Sequence, residues 1–318
     1  MDILRALVLA ATLLSAAVCN AEALTPDGWL QRMAVAVQSV NYEGTVVRVQ
    51  SGKTEALKVA RDVSDDGVIR EKIVAQEGNG LEIIRIGSEV HCILPDRKSV
   101  LVEEWNDQSA LFSTLPSSKI RFGNEYDLSV VREGRVAGRD AVLLAIRPHD
   151  RFRYGQRIWL DVETAFPLHT QLIAADGSAI EQVKFADIAL NQEIHASALA
   201  PSYSTEDFRW FRQPSRHANS DVDTEWTCEN LPRGFRALST HEETMSESGE
   251  LVTHILYSDG LANVSVFIAA LDDNDTHGPS QMGASSSFSA ITTDHHITAV
   301  GEVPPVTVEQ IATSMRRR

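Results

Sequence analysis

Residues 42–62 read YEGTVVRVQSGKTEALKVARD, and this stretch decides the fold class. Its first half is rich in β-branched residues, and from Tyr42 onward the hydrophobic pattern changes to a period of two, which is typical of β-strands. Ser51-Gly52 is typical of a tight turn. The stretch therefore predicts two antiparallel strands, Tyr42–Gln50 and Ala56–Asp62, joined by a hairpin.

Similar strand patterns continue downstream, separated by turns that contain Gly, Asp or Asn. They are predicted at Val68–Gln76, Leu81–Ile86, Glu89–Leu94, Ser99–Glu104, Tyr126–Arg132, Asp140–Pro148, Gln156–Asp161, Leu168–Ala174 and Glu181–Asn191. About ten successive antiparallel strands form a large meander, and such a sheet has to curl. Upstream, Thr25-Pro26-Asp27 is typical of a helix start. One helix covers the sheet only in part, so we expect a partly open apolar cavity that accommodates an acyl chain.

A second, smaller unit follows a polar segment. Between Ser197 and Asp223 the strand pattern is lost, which is typical of an interdomain linker. Strand patterns resume at Phe235–Glu243, Leu251–Tyr257, Ala262–Leu271 and Ile297–Val300. Leu271–Ser289 predicts a mobile loop, and Thr307 and Gln310 have the spacing of a capping box in a terminal helix. The predicted fold class is α+β: a large curled antiparallel sheet with a covering helix, plus a smaller α+β C-terminal domain.

The first residues indicate export. Residues 1–21 combine Arg5, the apolar run Ala6–Val18 and small residues before a cleavage site, which is typical of a signal peptide and too short for a membrane anchor. We predict cleavage after Ala21, with cleavage after Ala23 or acylation of Cys19 as alternatives. The mature chain is then expected in a bacterial periplasm. There Cys92 and Cys228 either pair across the two domains or remain separate, with Cys92 as a core residue.

Composition and motifs disfavour several classes of protein. The formal net charge of −15 over 318 residues repels phosphate backbones, so we expect no nucleic-acid partner. The sequence has no Gly-x-Ser-x-Gly elbow and no pair of histidines at helical metal-binding spacing. Asp272-Asp273-Asn274-Asp275 resembles the start of a calcium loop but lacks its final acidic ligand. We therefore predict no catalytic residues, no metal and no cofactor.

Two groups of basic residues oppose the acidic balance of the chain. The first is Arg147, Arg151, Arg153 and Arg157, which surround Phe152 and Tyr154. The second is Arg209, Arg212, Arg216 and His217, which alternate with Phe208, Trp210 and Phe211. Each is either a solvated or anchored segment, or a surface that recognises an anionic group such as a lipid phosphate or an acidic peptide.

Several short motifs, in order along the chain, resemble the RseB/MucB family. They are Gln38-Ser39-Val40-Asn41-Tyr42, Trp159-Leu160-Asp161 with Phe166-Pro167-Leu168, Leu231-Pro232 with Gly234-Phe235, Leu256-Tyr257-Ser258-Asp259-Gly260-Leu261, and Val300-Gly301-Glu302-Val303-Pro304-Pro305. The resemblance implies a domain over residues 24–200 similar to the lipoprotein carriers LolA and LolB. It also implies a linker at 201–223 and a small domain at 224–318.

The resemblance further implies a periplasmic negative regulator of the envelope stress response. Such a protein binds the periplasmic segment of an RseA/MucA-type anti-sigma factor and shields it from site-one proteolysis. Lipopolysaccharide or a mislocalised lipoprotein then loosens the complex. We predict lipid contacts at Val47, Val49, Ile84, Ile86 and Trp159, and partner contacts at Arg209, Trp210, Phe211, Arg212 and Tyr257.

Two other functions stay open on the sequence alone. One is a lipid or lipoprotein carrier of the LolA/LolB type, which rests on the predicted cavity. The other is an enzyme, such as a hydrolase, whose residues come together only in the fold. The sequence also leaves open whether the chain forms a homo-oligomer.

Overall fold

Two large, mainly antiparallel sheets carry the two units of the chain, which we describe from a computed structural model. The described residues are 24–104, 111–112, 115–116, 124–212, 224–244, 251–272 and 275–318. The predicted signal peptide, residues 1–21, lies outside them, as do Arg216 and His217.

Within the described residues, the larger unit contains one long helix and twelve strands. Its elements are α1 (Pro26–Ser39), β1 (Tyr42–Gln50), β2 (Lys53–Val63), β3 (Ile69–Ala75), β4 (Glu82–Ile86), β5 (Glu89–Leu94), β6 (Ser99–Glu104), β7 (Tyr126–Val136), β8 (Arg139–Pro148), β9 (Gly155–Asp161), β10 (Pro167–Ile173), β11 (Ala179–Leu190), the short α2 (Ala196–Leu199) and β12 (Arg209–Arg212). They form one sheet in the order β12-β6-β5-β4-β3-β2-β1-β11-β10-β9-β8-β7. Two meanders therefore meet where β1 pairs with β11, from Tyr42 opposite Leu190 onward.

Among the described strands, β12 and β7 form the two free edges of the sheet, which curls around a main core. Ile73 of β3 and Leu144 of β8 belong to the same buried cluster, although five strands lie between them in the sheet. A sheet brings such distant positions into one core by curling. Helix α1 adds Trp29 and Met33 to this core, and its predicted start is confirmed because the Thr25 hydroxyl accepts a hydrogen bond from the Gly28 N–H at 3.1 Å. The predicted large curled antiparallel sheet with a covering helix is confirmed.

The smaller unit is also α+β. Its elements are β13 (Trp226–Cys228), β14 (Arg236–Thr244), β15 (Leu251–Ser258), β16 (Asn263–Ala270), β17 (Gly278–Met282), β18 (Ser285–Ile291), β19 (His295–Gly301), α3 (Pro305–Thr313) and β20 (Met315–Arg317). Six of these strands form a sheet in the order β14-β15-β16-β19-β18-β17, and β13 pairs with β20. Helix α3 packs Val308, Ile311 and Ala312 into the core of this unit.

Two local predictions for the smaller unit are wrong. The predicted loop Leu271–Ser289 contains β17, which is largely exposed, and much of β18. In β18 the small polar Ser286 is buried in place of an apolar residue, and its hydroxyl donates to the Val303 carbonyl at 2.7 Å. The predicted capping box at Thr307 and Gln310 does not form. The Thr307 hydroxyl donates to the Phe152 carbonyl at 2.7 Å, and the Gln310 amide donates to the Asn230 carbonyl at 2.8 Å.

Both cysteines of the described chain are free thiols, so the alternative of an interdomain disulfide is not realised. Cys92 lies on β5 and Cys228 on β13. Burial is the main cause that raises the pKa of each thiol to about 11. Both thiols are therefore protonated at neutral pH, which makes them poor nucleophiles.

Candidate functional site

Strand β12 carries four of the predicted partner-binding residues at an edge of the larger sheet. It pairs in parallel with β6, with Trp210 opposite Val100 and Arg212 opposite Val102. Because side chains alternate along a strand, Arg209 and Phe211 lie on one face and Trp210 and Arg212 on the other. Trp210 and Phe211 are each 52% exposed.

Polar contacts hold this edge strand in place. The Arg212 Nη1 lies 3.0 Å from the Glu89 Oε2, and the Trp210 ring stands edge-on to the His91 ring at 5.3 Å between centroids. Hydrogen bonds from His91 and Arg212 lower the pKa of the Glu89 carboxyl. Within the described strands, β12 is the last one on its side of the sheet, so its outer edge offers unpaired backbone groups beside two exposed aromatic rings. Such an edge is typical of a surface that pairs with an extended peptide.

The segment before β12 is fastened to the larger sheet by a buried ion pair. The Lys72 Nζ lies 3.0 Å from the Glu82 Oε1, and Glu82 is fully buried. The Glu82 carboxylate also accepts hydrogen bonds from the Ser202 N–H at 3.1 Å and the Ser202 hydroxyl at 3.0 Å. Phe208 then packs on a separate apolar cluster that includes Ile84. Residues 201–212 of the predicted linker therefore lie against the larger sheet.

The predicted lipid-contact residues occupy several different places. Val47 and Val49 line a cavity of about 600 Å³, together with His169 and Lys184. Ile84 is buried in a cluster with Ile93, Val100 and Val102. Ile86 is 54% exposed at the end of β4. Trp159 is buried and belongs to the main core cluster. The structure thus brings Val47 and Val49 together and places Ile84, Ile86 and Trp159 elsewhere.

The predicted partner contact Tyr257 lies in the smaller unit. It is 5% exposed, and its hydroxyl points to the Met315 Sδ at 3.8 Å. Burial, with a smaller contribution from Cys228, raises the pKa of Tyr257 to about 12. The structure places this residue within the core of the smaller unit and not beside the exposed rings of β12.

A buried charge cluster that the sequence analysis missed joins the two units. The Arg153 side chain is 0% exposed, and its Nε lies 2.8 Å from the Asp259 Oδ2 of the smaller unit. Its Nη1 lies 2.7 Å from the Asp150 Oδ2, and its Nη2 donates to the Arg233 carbonyl. The Tyr126 hydroxyl donates to the Asp259 Oδ2 at 2.7 Å. We call this cluster the Arg153 joint.

Two of the short sequence motifs build the Arg153 joint. In the turn after β15, the Asp259 Oδ1 accepts hydrogen bonds from the Leu261 N–H at 2.9 Å and the Ala262 N–H at 2.7 Å, which fixes the carboxylate. The Phe235 ring lies 5.0 Å from the Arg153 guanidinium carbon. Gly234 has a φ of 82°, and a Cβ there would lie 3.0 Å from the Glu125 side chain. The sequence identifies Asp259 only as a turn residue. Its ion-pair partner, Arg153, lies in the other unit and is far away in the chain.

The described residues meet the requirements of neither a metal site nor a membrane-spanning helix. Within the described residues, no group of three or more His, Cys, Asp and Glu side chains is arranged to hold a metal ion. None of the helices there is both long enough and apolar enough to cross a bilayer.

Together, the curled sheet, the exposed edge strand and the Arg153 joint define a two-domain α+β protein with a candidate peptide-binding surface. The chain belongs to the MucB/RseB family. The model of the MucB/RseB N-terminal domain matches residues 25–203, and that of the MucB/RseB C-terminal domain matches residues 220–316. The resemblance seen in the sequence motifs is thereby confirmed.

Named relatives cover nearly the whole chain. The sigma factor AlgU regulatory protein MucB of Pseudomonas aeruginosa is 30% identical over 310 residues, which are 94% of this chain and 93% of that protein. The sigma-E factor regulatory protein RseB of Escherichia coli K12 is 25% identical over 306 residues, which are 93% of this chain and 92% of that protein.

The solved structures of this family have the same fold. The complex of Pseudomonas aeruginosa MucA and MucB matches with a TM-score of 0.71 at 27% identity, over 92% of this chain and 99% of the solved one. A crystal structure of MucB matches with a TM-score of 0.60 at 27% identity, over 92% of this chain and 98% of the solved one.

Proposed function

We propose that the chain is a periplasmic regulatory binding protein that binds the periplasmic segment of an RseA/MucA-type anti-sigma factor. The observation that carries this proposal is the match, over 99% of its length, to a MucB chain solved in complex with MucA. Binding shields the segment from site-one proteolysis, because a protease needs an exposed, extended substrate. In this assignment residues 1–21 direct export, 24–200 sense lipid, 201–223 connect the domains and 224–318 bind the anti-sigma factor.

The outer edge of β12 supports a specific mode of binding. An extended peptide pairs with exposed backbone groups at a sheet edge, while its side chains alternate between the two faces. Each face of β12 offers one arginine and one half-exposed aromatic ring. This combination suits a partner segment that presents one acidic and one apolar residue on each of its two faces. We place Tyr257 among the supporting core residues of the smaller domain, because its ring is buried.

Release by lipopolysaccharide or by a mislocalised lipoprotein requires a second state of the molecule. A ligand shifts a conformational balance only through different affinities for the two states. An acyl chain bound in the cavity of about 600 Å³ beside Val47 and Val49 would shift the balance if this cavity binds it more tightly in one state than in the other. Its volume lies within the usual range of about 300–1,000 Å³ for ligand cavities.

Isothermal titration of the mature chain against a synthetic anti-sigma periplasmic peptide tests this function. We expect stoichiometric binding, and a loss of affinity of about tenfold or more when Arg209 and Arg212 are both replaced by Glu, because two favourable charge contacts become repulsive. Arg135→Glu combined with Arg151→Glu is the charge-matched control, since both arginines are exposed and lie outside β12. Absence of peptide binding by the unmodified chain contradicts the function, and equal affinities for all variants remove β12 from the site.

A lipid or lipoprotein carrier is the second candidate, and the same cavity favours it. A carrier moves an acylated peptide between vesicles and needs no anti-sigma partner. Transfer of a fluorescent acylated peptide between two vesicle populations, together with absent anti-sigma binding, would reverse the ranking. If Val47→Asp and Val49→Asp do not reduce transfer between vesicles, the acyl chain binds outside this cavity.

A further inference from the structure

Three arginines of the larger sheet surround a small cavity that the proposed function does not use. The cavity measures about 270 Å³, and its lining includes Arg132, Arg147 and Arg157. Its apolar floor consists of Leu143, Ala145 and Trp159. Of the basic group Arg147, Arg151, Arg153 and Arg157, only the first and last line this cavity, because Arg153 is buried in the joint and Arg151 lies over the Phe152 ring.

Strand register explains why these side chains share one face. On β8 and β9, Ala145 lies opposite Arg157 and Leu143 lies opposite Trp159. Arg147 follows Ala145 by two residues, so its side chain leaves the same face of β8. Arg147 and Arg157 are therefore diagonal neighbours on adjacent strands, at a separation that long side chains can bridge to one ligand.

A β-bulge adds the third arginine. The register between β7 and β8 shifts between Val130 and Arg132: Val130 lies opposite Leu144, whereas Arg132 lies opposite Leu143. Without this shift, Arg132 would lie opposite Val142, on the face that carries Leu144. Bulges redirect single side chains and are common beside functional sites. Here the bulge directs Arg132 to the floor residues Leu143 and Trp159.

The floor of the cavity is closely packed. The Arg132 guanidinium carbon lies 4.8 Å from the centroid of a Trp159 ring. Trp159 in turn lies over Gly134, where a Cβ atom would come within 2.8 Å of the indole. Glycine at this position leaves the space that the indole occupies. Stacking on an aromatic ring orients a guanidinium while leaving its N–H groups available to a ligand.

The three guanidiniums have no carboxylate partner among the residues that the structure describes. Within the described part of the chain, Arg132, Arg147 and Arg157 enter no ion pair, whereas other arginines such as Arg139 and Arg153 do. Asp127 lies opposite Arg147 in the register of β7 and β8, but its carboxylate contacts the His149 Nε2 at 2.9 Å. Three unneutralised cations on one face of a chain with a net charge of −15 attract an anion.

We propose that this cavity binds a phosphate group carried on an apolar body. Arginine forks bind phosphate oxygens bidentately, and the charge of three of them exceeds that of a doubly charged phosphate ester. The apolar floor and Val131, which is 44% exposed at the rim, contact the carrier. The volume falls just below the range of about 300–1,000 Å³ for whole drug-sized ligands, so the cavity takes a head group and leaves any acyl chain outside. This proposal does not depend on anti-sigma binding.

Two binding measurements on the mature chain test it and separate the two sources of phosphate. The first is calorimetric titration with inorganic pyrophosphate. The second is co-sedimentation with phosphatidylcholine vesicles that either contain or lack phosphatidic acid. The test variant is Arg147→Gln with Arg157→Gln. Its control, Arg151→Gln with Arg135→Gln, removes the same charge from exposed arginines outside the cavity.

We expect affinity to fall about tenfold or more in the test variant and less than about twofold in the control, because charged hydrogen bonds are lost only in the former. Pyrophosphate binding with this pattern identifies a soluble phosphate ligand; binding only to phosphatidic acid vesicles with this pattern identifies a lipid head group. Either result supports the site. Binding to neither probe, or an equal loss in both variants, overturns it. Anti-sigma peptide affinity, measured on the same variants, is expected to stay unchanged.

Discussion

At the scale of single residues, Asp161 illustrates how one buried carboxylate organises a turn. Its two oxygens contact the Arg139 Nε at 2.6 Å and Nη2 at 3.1 Å, and it accepts hydrogen bonds from the Thr164 N–H at 2.9 Å and hydroxyl at 2.8 Å. Burial by itself would raise the pKa of Asp161, but Arg139 and Thr164 outweigh it and hold the pKa below its ordinary value. The turn between β9 and β10 therefore depends on the ionised form.

The replacement Asp161→Asn is expected to lower the free energy of unfolding by about 2–3 kcal/mol at pH 7, because hydrogen bonds to a charged group are lost. Since the folded pKa lies below the unfolded one, the stabilisation is complete above the unfolded pKa and disappears as the pH falls through the folded pKa. Urea unfolding at pH 7 and at pH 3 measures the difference. Asp140→Asn, at an exposed ion pair, should change stability by less than about 0.5 kcal/mol. A difference that stays constant with pH would contradict the assignment.

At the scale of elements, β12 depends on the segment that precedes it. Lys72, Glu82 and Ser202 connect this segment to β3 and β4, and Phe208 adds an apolar contact before the strand begins. A four-residue edge strand has few hydrogen bonds of its own, so most of its order comes from these neighbouring contacts. The position of the proposed peptide-binding edge thus depends on the contacts that the segment before β12 makes with β3 and β4.

The replacement Glu82→Gln is expected to reduce stability by about 3 kcal/mol, because it leaves the Lys72 ammonium largely buried without a carboxylate. It should also weaken binding of the anti-sigma peptide if β12 forms part of that site. Thermal unfolding and peptide titration measure the two effects. Glu77→Gln, at an exposed position in the preceding turn, provides the control for loss of one negative charge. Unchanged stability of Glu82→Gln would show that the ion pair does not hold the segment.

At the scale of the whole molecule, the Arg153 joint sets how the two units meet. Its guanidinium contacts carboxylates of both units, Asp150 and Asp259. Burial, followed by the charge of Asp259, raises the pKa of Tyr126, so its hydroxyl remains a neutral donor to that carboxylate. A second contact lies apart from the joint, where the Glu181 carboxylate accepts a hydrogen bond from the Ala284 N–H at 3.1 Å.

The replacement Asp259→Ala is expected to leave Arg153 buried with one carboxylate fewer and to cost about 3–5 kcal/mol at the interface. We expect calorimetry to show two separated unfolding transitions where the unmodified chain shows one. Arg153→Met, which removes the cation while filling its volume, should cost less than Asp259→Ala. Asp272→Ala, on a carboxylate of the smaller unit outside the joint, is the control. A single transition in every variant would mean that the joint does not couple the two units.

The sequence reveals the sheets well and the joint poorly. The strands of the larger sheet follow from alternation and turn residues, and the start of α1 follows from Thr25, because both signals are local. Ser285–Ile291 escaped prediction because its one buried position, Ser286, is small and polar. The pairing of Arg153 with Asp259 joins residues far apart in the chain, and no local pattern records it. The cavity of Arg132, Arg147 and Arg157 depends on a bulge whose position the sequence does not show.

The Arg153 joint has a consequence for hybrid proteins made from relatives of this family. Arg153 and Tyr126 come from the N-terminal half, whereas Asp259 and the Arg233 carbonyl come from the C-terminal half. A chimera that takes its halves from two species therefore needs residues on both sides of the Arg153 joint that still pair with each other. Otherwise the Arg153 guanidinium would be buried at the interface without a carboxylate partner from the C-terminal half. The two halves would then associate weakly even though each folds correctly.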